Sequence, residues 1–426
     1  MNIIDKSLNH IWYPCADMKD YQEFKPKHIK RAYGSYIEME DGIKVIDAIS
    51  SWWCKSLGHC HPELQSAMIE QLHKFEHVMQ PHTTNDVIAN LSEKLSSLTK
   101  NLKKVFYASD GSTAVEIALK MTLHAQKILG HKKRKKFMAL SNGYHGETLA
   151  ALSVSDLGKY KYPYQDILFE TFFIQEIPYV RGIKDDLWKD CQNNWESIEK
   201  NLQPYEDQIA AIIIEPIVQG AGGMRIYSKN FLKHLSIWAK KKGIYLIADE
   251  IMTGIGRTGK MLACDHADIE PDLLCLSKGL TSGMLPLSVC LVSQEIYDIF
   301  YNKEPFLHSN THYGNALAAS VALKVLKIFE QELIVEKASK LNMGIMMQKI
   351  ADETGLLTNI RSIGAIAAAD LVNIDQFKLY KKAMDLGAIL RPINNSLYWM
   401  PPLNIDRVVL EDLSDITRLA LLESSF

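Results

Sequence analysis

What most constrains the fold of this chain is a series of short apolar runs, each closed by a polar or glycine-rich turn and separated from the next by segments with helical spacing. The runs fall at residues 104–108, 137–140, 210–214, 244–248, 273–276 and 288–292. Continuous apolar runs of this length suit strands buried on both faces. Their alternation with helical segments such as 113–129 and 229–242 predicts an α/β fold with an open, mostly parallel sheet covered by helices. Ligands in such folds sit at the carboxyl ends of the strands, so the residues that follow each run carry the chemical interest.

After about residue 315 the pattern changes to a long helical stretch, 316–341, and then to a mixed segment through residue 426. The expected division is an N-terminal arm at 1–50 that forms part of a small domain, a large domain at 51–334, and a C-terminal α+β part of the small domain at 335–426. A chain of 426 residues buries enough surface to need neither disulfides nor a structural metal. Lysine plus arginine at 48 against aspartate plus glutamate at 50 leaves no basic surplus for nucleic acid or an anionic membrane. The run from His131 to Lys136 is therefore read as a solvated loop between a helix and a strand. Seven scattered cysteines without a CxxC pair point to a reducing compartment. With no secretory leader and no membrane-length apolar stretch, the expected location is the cytoplasm.

One motif misleads. Gly254-Ile255-Gly256-Arg257-Thr258-Gly259-Lys260 matches GxGxxG and nearly matches a Walker loop, which suggests a nucleotide-dependent enzyme. Met261 stands where a magnesium-holding serine or threonine belongs. Asp249-Glu250 and three further residues also separate the strand from the first glycine, whereas a phosphate turn follows its strand tightly. Similarly, His59-Cys60-His61 invites a metal, but no second ligand cluster has suitable spacing.

Asp249 and Lys278 form the stronger constellation, each at or just beyond the end of an expected strand and one crossover apart. Lysine directly after a buried run is unusual. A lysine reaching solvent from a strand end is the plain alternative, but in a partly desolvated pocket such an amine can form a Schiff base. Ser109-Asp110-Gly111-Ser112-Thr113 follows another strand and opens a helix, where free amides and the helix dipole suit a phosphate; Asp110 or Ser112 could equally be only an N-cap. An amine, an acid for a ring nitrogen and a phosphate cradle are what pyridoxal phosphate requires.

Taken with Gly58-His59-Cys60-His61-Pro62, Ser141-Asn142-Gly143-Tyr144-His145-Gly146, Ile214-Glu215-Pro216, Gly254 through Gly259, Ser277-Lys278-Gly279 and Gly314-Asn315, the chain resembles the class III pyridoxal phosphate aminotransferases of fold type I over most of its length. The resemblance implies that Lys278 binds the cofactor covalently and moves the proton, that Asp249 pairs with its ring nitrogen, and that Tyr144 stacks on its ring. Gly111 and Ser112 would hold the phosphate, with Thr311 reaching it from the other subunit of a homodimer. Trp12-Tyr13-Pro14, Ser51-Trp52-Trp53, residues 219–224 and Leu390-Arg391-Pro392 with residues 397–402 resemble the subgroup that aminates 8-amino-7-oxononanoate in biotin synthesis, with S-adenosylmethionine, or lysine in some relatives, as donor. Tyr13, Trp52, Trp53, Arg391 and Tyr398 would then line the substrate channel, Arg391 taking a carboxylate. The alternative within the family is a general ω-amino acid or ornithine-type aminotransferase, which shares Lys278, Asp249 and Tyr144. Serine before aspartate at Ser109-Asp110, Glu147 where some members carry aspartate, and Ser309-Asn310 before Thr311 depart from the family pattern.

Overall fold

A computed structural model describes residues 2–425. Its central sheet has seven strands: β1 (Leu102–Ala108), β2 (Lys136–Leu140), β3 (Thr171–Ile174), β4 (Ile209–Ile214), β5 (Tyr245–Asp249), β6 (Leu273–Leu276) and β7 (Ser288–Ser293). They lie in the order β1-β7-β6-β5-β4-β2-β3. Only β7 runs against its neighbours, pairing antiparallel with β6 and β1, so the sheet is mostly parallel as the apolar runs predict. Strand β3 was not among the expected runs; its Thr171 and two phenylalanines remain partly exposed, so the segment lacks the continuous buried character of β4.

Period-2 alternation decides which helix covers which face. Ile247, Leu273, Cys275 and Val292 pack on one side with Ala114, Val115 and Ala118 of helix α1 (Gly111–Ile128). On the opposite side, Leu246, Ile212 and Ile214 meet Phe231, Leu235 and Trp238 of the helix Lys229–Lys241, while Leu274, Leu276 and Val289 meet the helix Ala316–Gln331. Asp249 continues the Tyr245–Ile247 series, so its side chain leaves the sheet on the face where α1 begins.

Smaller antiparallel sheets flank this layer. One is formed by Ile29–Tyr33, Tyr36–Met39 and Lys44–Ile46, another by Leu357–Ile363, Ile366–Leu371 and Ser396–Trp399. The N-terminal segment is tied to the C-terminal part where the Ile46 amide donates to Gly387 O at 2.8 Å and the Ile389 amide donates to Ile46 O at 2.9 Å. The helical stretch expected over 316–341 breaks after Gln331, because Leu333 adopts φ +54 before a separate helix Ile334–Ser339. The Gly254–Gly259 segment is a packing seam. A Cβ on Gly256 would meet Leu403, Phe329 and Val335, and Arg257 Nη1 donates to Pro401 O at 2.6 Å. Among the described residues no helix is long and apolar enough to cross a membrane.

Candidate active site

The carboxyl ends of β1, β2, β4, β5 and β6 converge on one cavity of about 540 Å³. At the end of β1, extended Asp110 caps α1, its Oδ1 accepting from the Thr113 amide at 3.0 Å and its Oδ2 from Thr113 Oγ1 at 2.8 Å. Gly111 and Ser112 follow as first-turn residues whose N–H groups have no intrahelical acceptor. A Cβ on Gly111 would lie 2.9 Å from Ile251 Cδ1, so the helix start approaches the β5 turn more closely than a larger residue allows.

Asp249 ends β5 on the cavity wall. His145 donates from Nδ1 to Asp249 Oδ2 at 2.7 Å, and the Ile251 amide donates to Oδ1 at 3.2 Å. Both side chains of the His–Asp pair are buried, and His145 Nε2 has no partner among the described residues. This assigns the ring proton to Nδ1. Glu215, directly after β4, accepts from the amides of Tyr144 and Gly220, each at 2.9 Å. Burial pushes its carboxyl up to about 7, against the pull of His145 and of these two amides.

Lys278 lies two residues beyond β6 with φ +42, a strained backbone for a side chain of its size. Its Nζ sits 4.6 Å from the centroid of the Trp53 ring and has no hydrogen-bond acceptor among the described residues. Desolvation lowers its pKa, while the charges of Asp249 and Glu215 act in the opposite direction. Trp53 Nε1 donates in turn to Tyr398 Oη at 3.0 Å, the rings meeting edge to face. Burial raises the Tyr398 phenol to about 12.

Toward the mouth, Tyr144 donates its hydroxyl to Glu147 Oε1 at 2.8 Å, and desolvation, with Glu147 adding to it, holds that phenol far above its ordinary pKa. The Arg391 guanidinium stacks 4.4 Å from the centroid of half-exposed Trp52 and donates only a long 3.5 Å hydrogen bond to Cys15 O. Among the described residues it has no carboxylate partner.

The structure thus brings together Lys278, Asp249, Tyr144, Gly111, Ser112, Trp52, Trp53, Arg391 and Tyr398 around one cavity. Tyr13 and Thr311 lie outside its lining. Tyr13 hydrogen-bonds Ser7 and packs against Tyr21, and exposed Thr311 accepts at its carbonyl from His77 Nε2 at 2.9 Å. The sequence reading gave no role to His145 or Glu215, although each stands in a quoted motif. The signal was available for Glu215, a carboxylate directly after a fully apolar strand, as for Asp249.

A family model for class III aminotransferases matches residues 18–421. The chain belongs to the class III aminotransferases. Among the curated relatives of this class III aminotransferase, the adenosylmethionine-8-amino-7-oxononanoate aminotransferase of Helicobacter pylori is 38% identical, over 94% of this chain and 93% of the relative. That of Aquifex aeolicus is 34% identical over 97% and 96%. The crystal structure of the enzyme of that name from Methanocaldococcus jannaschii superposes with a TM-score of 0.90 at 31% identity, covering 100% and 99% of the two chains. An amine transaminase from an uncultivated Pseudomonas species, solved in its PLP-bound form, also gives 0.90, at 28% identity over 98% and 99%.

Class III aminotransferases depend on pyridoxal phosphate, and the residues here fit it. The unpartnered amine of Lys278, the buried carboxylate of Asp249 and the first-turn donors of α1 face one cavity, and Gly111 and Gly146 leave no space there for a Cβ.

Proposed function

We propose that this class III aminotransferase converts 8-amino-7-oxononanoate to 7,8-diaminononanoate for biotin synthesis in the cytoplasm, with S-adenosylmethionine as amino donor. The observation that carries the reading is Arg391, a cation beside the cavity with an aromatic face beneath it and no carboxylate of the described chain to neutralise it. A long apolar keto acid would place its chain along Trp52, Trp53 and Tyr398 and its carboxylate on this guanidinium. The names of relatives sharing 30% identity or more over nearly the whole chain support the same substrate pair. Seven free cysteines suit a reducing compartment.

When bound, pyridoxal phosphate would supply the electron sink for amino-group exchange between the two substrates. Lys278 Nζ, its proton affinity lowered by desolvation, moves the proton at the substrate carbon. Asp249 presents a carboxylate steadied by His145 and the Ile251 amide, suited to keep a proton on a ring nitrogen. Gly111 and Ser112 would hold the phosphate through the free amides of the first turn of α1, and Tyr144 would line the place of the ring. The chain works as a homodimer in which Thr311 completes the other subunit's phosphate site, with the large domain spanning residues 51–334 and the segments 1–50 and 335–426 making the small one.

Arg391→Ala tests the substrate. The KM for 8-amino-7-oxononanoate is expected to rise about ten- to 150-fold, the equivalent of the roughly 1.5–3 kcal/mol of a hydrogen bond to a charged group. The donor half-reaction is expected to change less. An unchanged KM for the keto acid would return the assignment to a general ω-aminotransferase. Single turnovers with S-adenosylmethionine and with lysine, each followed by the change in the visible band, decide the donor.

A further inference from the structure

The Gly58-His59-Cys60-His61-Pro62 motif has no part in the chemistry described above, yet His59 is buried and its Nε2 lies 2.8 Å from Asp47 Oδ2. Asp47 has no exposed surface, and its partners are unusual. The Ser51 amide donates to Oδ2 at 2.7 Å, Ser51 Oγ to the same oxygen at 3.3 Å, and the Ile49 amide to Oδ1 at 3.4 Å. No lysine or arginine forms an ion pair with it among the described residues. A buried carboxylate must be satisfied by its neighbours, and here its hydrogen-bond donors are one imidazole and the two amides and one hydroxyl of a single turn, with the buried Arg257 guanidinium acting on it only through space.

That turn is strained. Ser50, Ser51 and Trp53 all take positive φ, at +52, +58 and +64, in a region side chains of this kind rarely occupy. Such conformations persist only where the surroundings over-determine them. The consequence of the strain is placement: Trp52 is turned outward beneath Arg391 and Trp53 inward over Lys278 Nζ. His59 is itself fixed, its backbone exchanging two hydrogen bonds with Gly34 at 2.8 and 3.0 Å. Gly58 leaves no space for a Cβ, which would lie 2.6 Å from Gly34 O.

We infer that Asp47 and His59 are a positioning pair that holds the Ser50–Trp53 turn in its strained form and thereby sets the tryptophan wall for the amino acceptor. The pair touches neither the amine nor the cofactor cradle and acts through the Ser51 amide. Its effect on substrate rests on reading that wall as the seat of the long keto acid, whereas its effect on the turn does not.

The test uses the full-length holoenzyme with His59→Leu, which removes the ring nitrogen, and His59→Gln, whose side-chain NH2 can reach the Asp47 oxygen. Hydrogen exchange of the peptide covering residues 48–56 reads the turn directly. In His59→Leu it is expected to accelerate at least about tenfold, with the KM for the keto acid rising about ten- to a hundredfold, the scale of a 1 Å misplacement, and with the donor KM changing less. His59→Gln is expected to recover most of both. Wild-type exchange in His59→Leu, or equal losses in the Leu and Gln variants, overturns the inference. If wild type does not use 8-amino-7-oxononanoate, the proposed substrate fails while the exchange measurement still decides the pair. Should His59→Leu not fold, Asp47→Asn, whose NH2 must take the place either of the Oδ2 that His59 and Ser51 share or of the Oδ1 that faces the Ile49 amide, is expected to show the faster exchange; wild-type exchange there overturns the inference.

Discussion

Gly146 and Ser112 approach so closely that a Cβ built on the glycine would lie 2.2 Å from the serine Oγ. Gly146 also has φ +121, outside the range an alanine adopts without strain. Two segments that are distant in sequence, the turn after β2 and the start of α1, therefore meet through a glycine at the proposed phosphate cradle. Gly146→Ala is expected to displace Ser112 and to weaken pyridoxal phosphate at least about tenfold, the scale of losing roughly 1.4 kcal/mol. Equilibrium titration of the apoprotein, followed at the visible band, measures it; wild-type affinity would show that Ser112 does not hold the phosphate.

Asp249→Asn retains the size of the carboxylate while removing its charge. The rate of transamination under saturating cofactor is expected to fall by about 10²–10⁴, the range of a positioned proton-transfer group, with a smaller change in cofactor affinity. His145→Ala, which removes the hydrogen bond to Oδ2, is expected to produce a smaller loss of the same kind. Equal rates for wild type and Asp249→Asn would sink the pairing with the ring nitrogen.

Lys278→Ala is expected to abolish transamination and, with it, borohydride trapping of the cofactor on the chain, while leaving a folded protein. Mixed with Thr311→Ala subunits, it tests the shared site. A heterodimer has one site with both defects and one with neither, so activity is expected to recover on mixing. No recovery would show that Thr311 does not serve the other subunit.

The buried Glu215 carboxyl titrates near pH 7 in the folded chain and near 4.5 in the unfolded one. Between these values the native state holds a proton that the unfolded state has lost, so this contribution to stability is fully present below pH 4.5 and falls as pH rises through about 7. Glu215→Gln lacks that slope. From urea unfolding at pH 5 and pH 8, the wild type is expected to lose about 2–3 kcal/mol more than the variant over the interval. Parallel profiles would place the Glu215 titration outside this window.

The strand ends were legible because a buried parallel strand writes itself as an apolar run, and a charged residue placed at or just beyond its end stands out, as Asp249 and Lys278 do. Class membership followed from motifs in order along the chain. Strand β3 was missed because it packs at the sheet edge and keeps partly exposed aromatic residues. The break at Leu333 left no glycine or proline in the sequence to announce it. Tertiary partners were less legible still. Nothing about His145 or His59 in isolation indicates that one faces Asp249 and the other Asp47, since both pairings depend on folded geometry. Tyr13 and Thr311 are the extreme case, because their proposed roles require contacts beyond the cavity this chain lines.

The hydrogen bond between Trp53 and Tyr398 joins residues 345 positions apart, and Arg391 meets Trp52 across a similar separation. During synthesis, a nascent chain that has already released Lys278 and Asp249 from the ribosome still lacks one wall of the cavity they line. The proposed acceptor wall is therefore completed last, when residues that also belong to the core under Leu274, Leu276 and Leu280 dock, so the site and the packing beneath it close in the same step.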